Sequence, residues 1–175
     1  MADPETQRGS PLWRFSIGFY RQPGVADACI ALQDGCGVDV NILLFFLWLA
    51  TARRSVAPAA AQAVCAKVGP WRDDVVVPLR TLRRKLKDGS SLVEHNTAEL
   101  FRTKIKAVEL ESERLQQEAI FALADGLATE TMPTVEVAAR ANVAAYEQVL
   151  ARTFAPASVD VLIAALSAAK HGAGR

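Results

Sequence analysis

Strand signals are nearly missing from this 175-residue chain. Val75-Val76-Val77 is its one β-branched run, and Pro78 ends it, so a sheet-based fold has no support. Histidine is scarce. Only His95, near a turn, and His171, in the tail, are present, and neither has an i, i+4 partner or a cysteine nearby. That excludes a readable metal site and a histidine-based triad. The three cysteines, Cys29, Cys36 and Cys65, form no C-x-x-C and leave an odd thiol, which argues against a disulfide framework and fits a reducing cytosol. None of the ten glycines lies in G-x-G-x-x-G or G-x-x-x-x-G-K-[ST], so no phosphate loop or nucleotide cofactor is implied. D-x-x-x-D pairs are absent too, which weakens a helical prenyl-chain enzyme reading.

Long apolar runs are also lacking. A spanning helix needs about 20 apolar residues, whereas the run Ile42 to Ala50 stops at Thr51-Ala52-Arg53-Arg54. The opening MADPETQRGSP has two acidic residues and no apolar core, so it is not expected to be a secretory signal. These absences favour a cytoplasmic protein without a cofactor, a metal or a legible catalytic set.

Helix signals are what is present. With 51% hydrophobic and 22% charged residues, the composition is globular, and a chain of this length buries roughly 70% of its unfolded surface. Ser10-Pro11 reads as an N-cap followed by proline at the first helical position. Gln22-Pro23-Gly24 breaks that helix, a second carries Val25, Ala28, Cys29 and Leu32, and Gly35 or Gly37 ends it. Asp39 then caps a third helix that is apolar all round from Ile42 to Leu49, so neighbours must cover it.

Further helices are predicted over Pro58 to Val68, closed by Gly69-Pro70, and over Trp71 to Lys87, where Pro78 should kink or divide the rod. Another runs from about 96 to 125, with a heptad-like stripe at Phe101, Ile105, Val108, Ser112, Leu115, Ala119 and Ala122. Two alanine-rich helices follow, after Pro133 and Pro156. The fold expectation is a single all-α domain over 10–170, six to eight helices around a buried central helix at about 39–53. A long antiparallel helical hairpin at about 71–125 and short disordered tails at 1–9 and 171–175 complete it.

Two constellations carry possible function. Gln33, Asp34, Asp39 and Asn41 surround two loop glycines before the apolar helix. They form a candidate polar pocket, with Arg14 or Arg21 beside it, or else simply complete helix termini. Aromatics at 13, 15, 19 and 20 are read as core. The second constellation is basic. Arg80, Arg83, Arg84, Lys85, Lys87, Arg102, Lys104 and Lys106 face only three carboxylates between 80 and 106, a net +5 in a chain of net +1. If the hairpin pairs as supposed, these cations meet at its turn, and Asp73 and Asp74 lie level with Glu109, Glu111 and Glu113 at the other end.

The chain also resembles a known family. W-R-F-S at 13–16, Pro23-Gly24-Val25, LQD at 32–34, G-V-D-V-N at 37–41, the LL…WLA run ending at Ala50, E-L-E-S-E-R at 109–114 and N-V-A-A-Y at 142–146 carry the likeness. It is to a small family known mainly from proteobacteria and described only as a conserved domain of unknown function, and it spans about 10–150. It implies an all-α, bacterial, cytoplasmic protein and assigns no activity, cofactor or catalytic residue. The leading functional expectation is therefore a non-enzymatic interaction or adaptor protein that presents the charged hairpin or its stripe to an unknown protein or to another copy. The alternative is a small-ligand-binding protein or unusual enzyme at Gln33, Asp34 and Asn41. Nucleic-acid binding through the basic tip ranks below both.

Overall fold

The computed structural model describes residues 9–89 and 92–172, with side chains through Ala168. The expected tails, apart from Gly9, His171 and Gly172, lie outside the described residues. Helix α1 spans Pro11–Tyr20, α2 Val25–Cys36 and α3 Val40–Thr51. Their limits follow the local chemistry read from sequence. Ser10 Oγ accepts from the Trp13 N–H at 3.2 Å, and Pro11 occupies a position where no N–H partner is needed. Gly37, at φ 69°, ends α2 with its N–H returned to the Gln33 carbonyl. Asp39 caps α3, its Oδ1 accepting from the Asn41 N–H at 2.9 Å.

Two features differ from expectation. Arg54–Val56 (β1) pairs antiparallel with Thr129–Thr131 (β2), Arg54 opposite Thr131 and Val56 opposite Thr129. Three residues are too few to establish a period-two pattern, and the ladder is held from outside, by Asn142. The second difference concerns the rod. Helix α4 (Pro58–Trp71) runs straight through Gly69-Pro70 into a π-helical turn, Arg72–Val76, and on into α5 (Val77–Lys87). Pro78 neither divides nor ends it. The Val77 N–H reaches back to the Arg72 carbonyl, a five-residue step. The ladder is thus re-registered just where Pro78 offers no donor.

Helix α6 (His95–Phe121) packs against α5, and α7 (Val135–Leu150) and α8 (Pro156–Gly172) complete the chain. Helix α3 is central, covered by α1, α2, α6, α7 and β1. Leu43, Phe45, Phe46, Leu47 and Ala50 are fully buried. Phe46 meets Tyr146 edge-on at 5.5 Å, and Trp48 meets Phe121 at the same distance. Trp13 and Phe19 join the interior, and Phe15 packs against it. Tyr20 does not, for a reason given below. No helix among the described residues is long and apolar enough to cross a membrane.

Asn142, fully buried, joins three elements. Its Nδ2 donates to the Phe46 carbonyl (2.8 Å) and the Arg54 carbonyl (3.0 Å), and its Oδ1 accepts from the Val56 N–H (2.8 Å). Asn142→Ala leaves buried backbone groups unpaired, at about 1–3 kcal/mol for each group that finds no substitute. We expect a loss of about 3 kcal/mol and a melting temperature lowered by roughly 6–12 °C in calorimetry. A drop no larger than that of an exposed alanine substitution contradicts this role.

Candidate functional site

Helix α6 turns an unusual face inward. Glu109, Ser112, Gln116 and Gln117 are buried there. A buried carboxylate needs donors, and the nearest arginines of α5 supply them. Arg80 reaches Glu109 at 3.3 Å and Glu113 at 2.7 Å, while Arg83 donates twice to Glu109, once at 3.1 Å through Nη2 and again through Nε. Glu109 and Glu113 therefore meet arginines, not the level of Asp73 and Asp74. The basic stretch does not gather on one surface either. Arg84 contacts Asp34 at 3.4 Å and Arg102 contacts Glu99 at 3.1 Å. Lys85, Lys87, Lys104 and Lys106 form no ion pair among the described residues.

The polar threshold of α3 meets the same face of α6. Gln117 Nε2 donates to Asn41 Oδ1 (2.8 Å), Asn41 Nδ2 to Gln116 Oε1 (2.8 Å), and Gln116 Nε2 to Asp39 Oδ2 (2.6 Å). The chain of amides has a direction, and Asp39 sets it. A carboxylate only accepts, so Gln116 must present its NH2 to Asp39 and its oxygen to Asn41. Asn41 then presents its oxygen to Gln117, and Gln117 Oε1 is left as the terminal acceptor. Arg72, carried by the π turn, stands 3.8 Å from Asp39. The Asp39 N–H donates to Tyr146 Oη at 3.0 Å. Burial raises the Asp39 pKa above the ordinary carboxylate value, against the hydrogen bonds from Gln116 and Asn41 that lower it.

Between α1, α2, α3, α5 and α6 lies a cavity of about 590 Å³, within the range of small-molecule sites. Of the threshold residues, Gln33 and Asn41 line it, whereas Asp34 does not but holds the lining residue Arg84 at 3.4 Å, and Asp39 lies behind Asn41. Of the basic stretch, Arg80, Arg83, Arg84 and Lys106 line it, and Lys85, Lys87, Arg102 and Lys104 do not. Two clusters far apart in sequence thus share one space. Arg21 adds a fifth cation, and Arg14 is elsewhere, bonded to the Gly9 carbonyl.

Against these five cations stand Glu109 and Glu113 in the lining and Asp34 beside Arg84. Burial raises the Glu113 pKa even beside Arg80. The apolar lining comes from Trp13, Ile17, Tyr20, Ile30, Val40 and Leu44, with Leu110. Tyr20 is therefore wall, not core. Burial also raises its pKa, so its hydroxyl is neutral at physiological pH. Ser16 Oγ and Gln117 Oε1 are both buried in this lining and have no hydrogen-bond partner among the described residues. Such atoms are rare in folded proteins.

Sequence reasoning missed Ser16, Tyr20, Glu109, Glu113, Gln116 and Gln117. The signal that could have found the α6 members is a polar stripe at 109, 113, 116 and 117, helically spaced and set to one side of the apolar one. The thiols have no part here, and Cys29 is buried, its pKa pushed up to about 12. Among the described residues no three His, Cys, Asp or Glu side chains gather to hold a metal ion.

Neither the curated proteins nor the solved structures contain a match to this chain. One family model does match, over residues 11–120. That segment holds α1 through α6 and with them every residue that lines the cavity. The chain therefore belongs to the family described as protein of unknown function DUF2390.

Proposed function

We propose that the protein binds a small organic anion in the cavity between α1, α2, α3, α5 and α6. The observation that carries this reading is the pair of buried, unpartnered atoms, Ser16 Oγ and Gln117 Oε1, in a lining that also holds five cations. The ligand that fits is amphipathic. Its apolar body rests on Trp13, Ile17, Leu44 and their neighbours, its acidic group faces Arg84 and Lys106, and a hydroxyl or N–H donor meets Gln117 Oε1. Nothing in the lining forms a nucleophile with an adjacent base, which favours binding over catalysis. The unpaired thiols support a cytoplasmic setting.

A second reading, an interaction protein that uses the hairpin, draws its support from the outward apolar side of α6. The nucleic-acid reading keeps Lys85, Lys87, Lys104 and Lys106 as its support.

Alkyl sulfonates of graded chain length test the cavity, since the sulfonate stays charged at all working pH values. Calorimetry should give binding that tightens with chain length and weakens about tenfold in Lys106→Glu and again in Arg84→Glu, the equivalent of about 1.4 kcal/mol each. Both sites are exposed enough to spare the fold. Leu110→Trp, which fills the space, should abolish binding. Heats that vanish for every chain length, or that all three variants leave unchanged, refute the reading.

The pH dependence has a definite sign. Because burial raises the Glu113 pKa in the fold, the group takes up its proton at a higher pH than a free glutamate, and the cavity then loses a negative charge. Sulfonate affinity should rise as pH falls through that raised pKa, and Glu113→Gln should flatten the rise.

A further inference from the structure

The long helix α6 is amphipathic in the inverted sense. Polar Glu109, Ser112, Gln116 and Gln117 face the interior, while Leu100, Phe101, Val108 and Leu115 face outward at 69%, 50%, 53% and 43% exposure. On an α-helix these four, with exposed Lys104 and Glu111, fall within one stripe about 100° wide. An apolar strip of this kind on an otherwise charged surface marks a contact. We propose that it is the contact between two copies of this chain, laid antiparallel about a two-fold axis near Val108.

The order of residues along the strip identifies the occupant. From one end it reads apolar at 100 and 101, positive at 104, apolar at 108, negative at 111 and apolar at 115. Turned end for end, it complements itself. Leu100 and Phe101 meet the partner's Leu115, Lys104 meets the partner's Glu111, and Val108 lies beside the axis. A parallel arrangement sets lysine against lysine and glutamate against glutamate, which is unfavourable. The antiparallel pairing is isologous and closes at two copies. It is also independent of the cavity. Lys106 and Gln117, which line the cavity, project from the far side of α6, so ligand access survives pairing.

Sedimentation of the full chain over a concentration series tests the pairing. A reversible monomer–dimer equilibrium is expected, weakened at least tenfold by Val108→Asp and about tenfold by Lys104→Glu. Adding Glu111→Lys to Lys104→Glu restores the ion pair in reversed order and should recover most of the loss. Glu111 also bonds Arg114 within its helix, so recovery is scored on mass and not on melting. Circular dichroism melts of Val108→Asp and Lys104→Glu should match the parent, because both sites are exposed. A single-chain mass at every concentration, the result expected if a different protein covers this strip, overturns the proposal. So does a dimer that Val108→Asp leaves intact.

Discussion

The rest of the molecule depends on the burial of one polar helix start. Helix α3 is apolar on every side and must be surrounded, but its first turn carries Asp39 and Asn41, which are buried with it. A capped carboxylate and an amide in the interior require partners that only another element can supply. Helix α6 supplies them as Gln116 and Gln117, and in doing so commits its inner face to polar residues. Glu109 follows on the same face and draws Arg80 and Arg83 inward. The π turn before α5 serves the same end by bringing Arg72 beside Asp39.

That commitment explains why the protein has a cavity there. Polar inner faces do not interdigitate as aliphatic ones do, and the space left between α1, α2, α5 and α6 is the cavity. Its electrostatics are set by a mismatch of numbers. Five cations line a space whose own carboxylates are Glu109 and Glu113, with Asp34 beside Arg84, and burial raises the Glu113 pKa. Positive charge beside aromatic and aliphatic walls is the basis of our proposal that an anion with an apolar body binds there. The relay of amides gives the site a second requirement, an acceptor whose direction is dictated from the buried end by Asp39.

The two readings that the residues invite separately, a polar threshold at 33–41 and a basic hairpin at 80–106, turn out to share atoms. Gln33 and Asn41 belong to one wall, and Arg80, Arg83, Arg84 and Lys106 to the other. Asp39 is structural in the sense that it caps a helix, yet it also orients Gln117.

Much of the fold was legible because it rests on local rules. Ser10-Pro11, Gly37 and Asp39 act through hydrogen bonds within a few residues of themselves, and the all-round apolarity of Ile42 to Leu49 dictates a central helix whatever surrounds it. Less local features escaped. The strands β1 and β2 are held because Asn142 reaches across from α7, and Pro78 is carried because the π turn before it shifts the hydrogen-bond ladder. The facing of α6 could not be read with confidence from its apolar stripe, since periodicity reports that a helix has two sides without saying which one meets the core. By itself the sequence determined the helices, their caps and the identity of the buried centre. Tertiary structure alone decided which charges neutralise one another and which line a shared space, because those pairings join residues dozens of positions apart and depend on the register of packed helices.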